Sequence, residues 1–329
     1  MNTPLNTEPD PHIDLLEETA RLRARNVKYW SGKWKELGKL VPQFRLSDFV
    51  AKDSGPANPY LKAVVREPLG VTEQAIPVGV VSTSYPLVQH TSVVEKCLEG
   101  LSQVDIEPKD LKCDLGLTEL GEWMNFRIYF GERYGFKPAD GHQLGLRLEC
   151  FNSVDGSSRL VVTVGWLRFV CKNGVIIWEA QQELKDIHNP FLDLDRVSKM
   201  VSDSLGKVGA DQRRLKAWEA HGITLDQVQC WSDNGVTEAW GKKAACRVFH
   251  ICRSGCDVEI TDPFVGGPAT QWPVKEIRAV PGAANPARNL FDASQALSWV
   301  ATNRNNAEER LEWQAGIPKL ISKLRAHRN

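Results

Sequence analysis

The sequence predicts an α+β fold: a central, mainly antiparallel sheet with a long hairpin, backed by helices and followed by a helical C-terminal part. Three observations carry this. Strand-like runs fall in series between residues 61 and 190, separated by turn residues at hairpin spacing. Helix-period runs dominate from residue 191 onward. Strands grouped first and helices grouped later is the order of an α+β chain, not of alternating βα units. The same change of pattern divides the chain into an N-terminal helix and linker (1–60), an antiparallel sheet core (61–190) and a helical region packing on that core (191–329).

Each element has its own signal. Pro9, Pro11 and Pro42 bracket a helix from about Asp14 to Leu37, with Asp14, Glu17 and Glu18 early and the bases later, as the helix dipole favours. "AKDSGPANP" reads as a loop. "VGVVSTSYPLVQHTSVVEKCLEGLSQV" reads as a strand, a turn at Tyr85-Pro86 and a helix with Thr91 as its N-cap. "KDLKCDLGLTELGEWMNFRIYF" gives two short strands. The most organised stretch is "GLRLECFNSVDGSSRLVVTVGWLRFVCKNGVIIWEA". Here Gly145 to Phe151 and Leu160 to Val170 should pair through the Asn152 to Ser158 loop. Asn152, Asp155 and Asn173 have short side chains that bond to nearby backbone amides, so their expected role is to set turns. Gly165 suggests a bulge or a close backbone approach, and Asn173-Gly174 a second tight turn into "VIIWEA". "DLDRVSKMVSDSLGKV", "DQRRLKAWEAHG", "DQVQCWSDNG" and "TEAWGKKAACRVFHICRSG" are helical. "DPFVGGPATQWPVKEIRAVPGAANPA" reads as a loop, and the last segment from Asn289 as helix broken at Asn305 and Pro318.

The 329 residues carry 41 basic and 41 acidic side chains, so net charge is zero. That argues against a surface coated in positive charge but not against a local basic stripe. No run of 18 apolar residues occurs, and the first residues show neither a basic n-region nor an apolar h-region. A membrane span and a secretory signal are therefore not expected, and the cytoplasm, where thiols stay reduced, is the expected compartment.

Two basic stripes stand out. "ARLRARNVKYWSGKWK" holds Arg21, Arg23, Arg25, Lys28, Lys33 and Lys35 without an acid, and Tyr29, Trp30 and Trp34 sit among them. "KLISKLRAHRN" holds Lys319, Lys323, Arg325 and Arg328. Cations for phosphates and flat rings for bases are what a single-strand binding surface needs. Arg21, Arg25, Lys28, Lys33, Arg168 and Lys172 are the candidate phosphate contacts, with Trp30 and Trp34 as candidate stacking rings. The competing reading is an amphipathic helix whose Trp residues pack on the core while its bases are solvated.

Catalytic signatures are weak. No phosphate loop, His-Glu-x-x-His or Gly-x-Ser-x-Gly elbow occurs. "CRVFHICRSGC" gathers Cys246, His250, Cys252 and Cys256, but not as two close pairs separated by a loop. On one helix Cys246 with His250 and Cys252 with Cys256 would point in different directions, so buried, inert thiols are expected rather than zinc. Cys171 lies beside Arg168 and Lys172 but has no obvious base. Asp186, His188, Asp193, Asp195 and Asp203 could converge on a metal, as a nuclease requires, yet they read as helix caps and first-turn acids. No catalytic residue, cofactor or metal is expected.

Three stretches together are similar to the phage/plasmid-like protein family, domain of unknown function 932. They are "VSTSYPLVQHTSVVEK", "FNSVDGSSRLVVTVGWLRFVCKNGVII" and, more loosely, "NLFDASQALSWVATNRNNAEERLEWQAGIPKLI". The resemblance spans about Pro77 to Ile321. It implies mobile-element biology and brings no catalytic residues with it. The expectation that combines these readings is a DNA-binding protein, single strands favoured, working as a homo-oligomer in annealing or recombination. The alternatives are an inhibitor or decoy that binds a host protein, and a metal-dependent nuclease.

Overall fold

The computed structural model describes residues 5–6, 25–51, 55–106, 111–168, 179–186, 192–260, 267–304 and 307–326. The chain forms two compact units that interleave along the sequence. The first comprises Met1–Arg133, Leu146–Val164 and Gln181–Lys207, and the second Tyr134–Gly145, Gly165–Ala180 and Val208–Asn329.

A seven-stranded sheet runs in the order β1-β2-β6-β7-β8-β9-β10. Its strands are β1 (Leu5–Asn6), β2 (Val27–Gly32), β6 (Lys112–Thr118), β7 (Trp123–Tyr129), β8 (Leu144–Ser153), β9 (Leu160–Arg168) and β10 (Glu179–Asp186). A separate three-stranded sheet joins β3 (Phe44–Asp48), β4 (Leu61–Arg66) and β5 (Ile76–Ser82). β1 to β2, β2 to β6, β6 to β7, β7 to β8, β3 to β4 and β4 to β5 all pair antiparallel. β8 and β9 are neighbours joined by the short loop after Ser153, too short for the crossover that a parallel pair needs, so they form the expected hairpin. The second tight turn at Asn173-Gly174 lies outside the described residues.

The helix expected over Asp14 to Leu37 is corrected. Residues 14–24 lie outside the described residues, Val27–Gly32 is strand β2, and helix is confined to one turn, α1 (Trp34–Leu37). The physical reason is non-local. Val27, Tyr29 and Trp30 suit a pleated surface, and β1 and β6 supply hydrogen-bond partners on both sides.

Alternation along β6, β7 and β8 builds the core of the first unit. Cys113, Leu115, Met124, Phe126, Ile128, Leu148 and Cys150 lie on one sheet face and are all fully buried. Helix α2 (His90–Ser102) buries Val93, Val94, Cys97 and Leu101, and its Cys97 meets Cys150 of β8. α2 starts at His90, not at a Thr91 cap; Gln89 holds the N-cap position without capping the helix through its side chain. Its amide is used elsewhere, donating to the Phe44 carbonyl (2.8 Å) and accepting from the Phe44 N–H (3.1 Å). Helix α3 (Asp195–Ala220) begins with Asp193 accepting from the Asp195 amide, the first-turn role expected of that acid. It passes α2 so closely that a Cβ on Gly100 would lie 2.4 Å from the Ser198 carbonyl oxygen.

The second unit is mainly helical. α4 (Leu225–Trp231) opens on a capping box between Thr224 and Gln227, then runs through a π-helical turn at Ser232–Val236 into α5 (Thr237–Trp240). α6 (Lys242–Ser254) ends at Gly255, whose φ of 67° is the left-handed value glycine accepts readily. α7 (Leu290–Thr302) and α8 (Ala307–Ala326) follow. α8 continues through Pro318, where the sequence suggested a break. The segment read as a Pro/Gly-rich loop contains a strand, β12 (Val274–Ala279), which pairs antiparallel with β11 (Cys256–Ile260) just before that segment. β12 places Val274 and Ile277 three residues apart, so no period-two apolar alternation reveals it.

Candidate nucleic-acid interface

The basic and aromatic run of the N-terminal part sits on β2 and α1 in the first unit. Lys28, Lys33, Lys35 and Lys39 are exposed, and none of the four forms an ion pair among the described residues. Trp30 and Trp34 are half-buried between them. On β2, Lys28 and Trp30 point to the face of Leu117 and Leu115, while Tyr29 and Ser31 point to the opposite face, where Ser31 hydrogen-bonds Asp114. Trp34 packs edge-on against Phe126, with centroids 5.1 Å apart. Arg25 is committed differently, with its Nε 3.3 Å from the buried Glu122 carboxylate. So Arg25, Lys28, Trp30, Lys33 and Trp34 come together in one unit. Arg168 is the last residue of β9 and belongs to the other unit, while Arg21 and Lys172 lie outside the described residues.

The two motifs of the central region interlock with each other. Of the two described residues expected to set the Asn152 to Ser158 turn, Asp155 does and Asn152, inside β8, does not; Asp155 Oδ1 accepts from the Ser157 amide (3.0 Å), Ser157 Oγ (2.6 Å), Ser153 Oγ (2.9 Å) and Trp123 Nε1 (3.1 Å). Asn152 Nδ2 donates to the Val88 carbonyl (3.2 Å) and lies 2.9 Å from His90 Nδ1. His90 Nε2 is 2.9 Å from the Gly121 carbonyl, which can only accept, so Nε2 carries the proton and Nδ1 receives the Asn152 amide. Tyr85 donates to the Ser153 carbonyl, and its phenol is pushed up by burial and then by the Asp155 charge. The loop lies so close on β5 that a Cβ at Gly79 would fall 2.7 Å from Asp155 Cβ. The stretch "SYPLVQH" and the loop "NSVDGS" therefore form one bonded hub, in which Asp155 sets the loop and Asn152 ties β8 to the Val88–His90 segment.

The sheet face opposite the core hides a charge cluster that sequence reasoning missed. Arg127 Nε (3.1 Å), Arg147 Nη2 (2.6 Å) and Asn125 Nδ2 (2.7 Å) all donate to Glu149, and Asn125, Arg127 and Arg147 are buried. Burial would raise the Glu149 carboxyl, but the two guanidiniums and the amide outweigh it and hold it at about 2. The available signal was charge inside otherwise apolar strands, "NFRIYF" and "GLRLEC".

In the second unit a cavity of ≈ 610 Å³ opens beside the π-helical turn, lined by Asp233, Asn234, Gly235, Thr237, Glu238, Lys323 and Ala326. Lys323 is paired with Glu238 at 2.6 Å. Burial raises the Asp233 carboxyl against the opposing pull of the Ala269 and Thr270 amides. Burial, then the charges of Asp233 and Asp257, pushes the Cys246 thiol up to about 12; burial, then Asp292, does the same for Cys252. Both are inert thiols at neutral pH. Among the described residues no three His, Cys, Asp or Glu side chains are grouped to hold a metal ion, and no helix is long and apolar enough to cross a membrane.

A protein-family model with the description Domain of unknown function (DUF932) matches residues 77–243. That span contains the interlocked hub and stops short of the third similar stretch. Among curated proteins and among solved structures, nothing matches the chain.

Proposed function

The chain belongs to the family described as Domain of unknown function (DUF932), and from that membership, which brings no activity with it, we propose a non-enzymatic, cytoplasmic protein of a mobile element that binds DNA, single strands favoured. The observation that supports this is the set of exposed lysines (Lys28, Lys33, Lys35, Lys39), without an ion pair among the described residues, interleaved with half-buried Trp30 and Trp34. Phosphate neutralisation by such a set with rings at its side leaves base edges free to pair, as annealing requires.

The test is binding of fluorescently labelled oligonucleotides over a salt series. Affinity should fall steeply with salt, and Lys28→Ala or Lys33→Ala should each lower the logarithmic slope by about 0.7 on single strands. No binding to single- or double-stranded DNA at low salt would remove this reading. It would favour a second one, an interaction protein binding a host factor. That reading has its own support in the exposed Phe49, Val50, Tyr60 and Val80 on and beside the three-stranded sheet.

A further inference from the structure

The hairpin of the second unit has an unusual open edge. Among the described residues β11 and β12 form a sheet of two strands, and every residue of β12 is exposed. Ile277 is 63% exposed although its partner across the ladder, Val258, is buried. An isolated two-stranded ribbon with one bare edge leaves a row of backbone donors and acceptors facing water, a template for another strand.

The register fixes which groups face outward. The Val280 amide donates to the Gly255 carbonyl at 2.9 Å. Counting back along the ladder in steps of two, Arg278 with Asp257 and Glu276 with Glu259 are hydrogen-bonded pairs whose amides and carbonyls point inward. Ile277 and Ala279 therefore turn their backbone groups to the open edge, and Lys275 does so by the same alternation, at the bulge.

Charge selects the occupant. Glu276 faces Glu259 across the ladder, and its nearest cation on its own strand is Arg278, at 4.0 Å. Asp257, opposite Arg278, is already bound bidentately by Arg247 (2.8 and 2.7 Å) and by Trp299 Nε1 (2.9 Å). Glu276 and Arg278 are thus opposite charges placed symmetrically about Ile277. When the same strand approaches antiparallel with its two-fold axis at Ile277, Ile277 meets itself in a hydrogen-bonded pair. Glu276 then meets Arg278 of the second copy twice, at the closer, non-hydrogen-bonded positions. Lys275 meets Ala279, so no like charges oppose each other.

We propose that β12 is a self-association edge, and that two copies of this chain pair antiparallel through Val274–Ala279 about Ile277. The contact is isologous and closes as a dimer; it does not propagate a filament. It stands independently of the nucleic-acid reading. One strand pair covers less than a standard interface of about 1,600 Å², so the association is weak and concentration-dependent.

The test is sedimentation velocity of the full chain over a concentration series at low salt, with the wild type, E276R, R278E, the double variant and an equimolar mixture of the single variants. The substituted side chains are exposed, and unchanged thermal unfolding confirms that each variant folds. Either single variant sets like charges opposite each other at two positions and should weaken dimerisation by roughly tenfold or more. The double variant restores opposite charges and should dimerise like the wild type. The mixture should form a heterodimer although neither component self-associates. A wild type that stays monomeric at all concentrations would overturn the proposal. So would a dimer indifferent to the single variants, or a double variant no better than they are.

Discussion

Asp155 is the residue on which the central hub turns, and its replacement by alanine is the sharpest test of that reading. One carboxylate oxygen accepts four hydrogen bonds, from Ser157 N, Ser157 Oγ, Ser153 Oγ and Trp123 Nε1. Two donors have a second partner: Trp123 Nε1 also reaches Ser157 Oγ (2.9 Å), and Ser153 Oγ reaches the Ser158 carbonyl (3.4 Å). The loss therefore concentrates on the Ser157 amide and hydroxyl. Hydrogen bonds to a charged acceptor contribute about 1.5–3 kcal/mol each, and partial rescue of the other donors trims the total. The expected cost is about 2–4 kcal/mol, above the ~0.5–2 kcal/mol of a single capping bond that the sequence alone suggests. Asp155→Asn keeps an acceptor without the charge and should fall between wild type and alanine. Equilibrium urea unfolding followed by tryptophan fluorescence measures both, read as a shift of midpoint at constant slope. An Asp155→Ala protein of wild-type stability that no longer bound oligonucleotide would refute the reasoning and make Asp155 a ligand contact.

The Glu149 cluster predicts acid sensitivity. Its folded pKa of about 2 lies below the ordinary 4.5, so its stabilisation is complete above about pH 4.5 and lost as pH falls towards 2, roughly 3 kcal/mol in all. Glu149→Gln removes the carboxylate that Arg127 and Arg147 share and should cost about 3–5 kcal/mol at pH 7. Its disadvantage should shrink towards pH 3, and urea midpoints that stay parallel across that range would contradict the assignment. Gly100→Ala should destabilise by about 1–3 kcal/mol, because its Cβ would meet the Ser198 carbonyl oxygen at 2.4 Å and Val201 Cβ at 2.9 Å. The usual helix gain of alanine over glycine, about 1 kcal/mol, is too small to offset displacement of α3, so a rise in thermal midpoint would show that the helices part freely.

The legible parts of the fold were those whose pattern is decided locally. The β8–β9 hairpin announces itself because β-branched runs flank a cluster of turn residues, and β6 and β7 because a short turn separates two apolar strands. β2 was not legible. "VKYWSG" fits a helical wheel as well as a strand, and the choice is made by β1 and β6, one of which lies some eighty residues away in sequence. The Arg127, Arg147 and Glu149 cluster was hidden for a related reason. A charged residue in a strand reads as solvent-facing until its partner on the next strand is known. Proline at 318 suggested a break, yet the surrounding helix tolerates it because Ile317, Leu320 and Ile321 are buried on either side.

The strand assignment of β2 also changes how the proposed interface is dissected. On a helix, Trp30 and Trp34 would be one turn apart and equivalent. Here Trp30 stands on the sheet face beside Leu115 and Leu117, and Trp34 lies edge-on to Phe126 within the one-turn helix, so each ring is partly committed to packing. Truncating Trp34 should lower stability first, and any loss of binding in that variant is ambiguous. Lys28 and Lys33 are exposed and unpaired among the described residues, so their substitution leaves the packing alone. Their effect should then appear in the salt slope without a shift in unfolding midpoint. Trp30→Ala should weaken single-strand binding by about 1–3 kcal/mol per folded molecule if a base stacks on the half of the ring that reaches solvent. Trp30→Phe keeps an aromatic face and should recover part of that loss. If Trp30→Ala unfolds more easily while its folded fraction binds oligonucleotide with wild-type affinity, the ring serves the core alone. In that case the lysine row binds by charge without stacking, which leaves the salt dependence intact and removes the preference for unpaired bases.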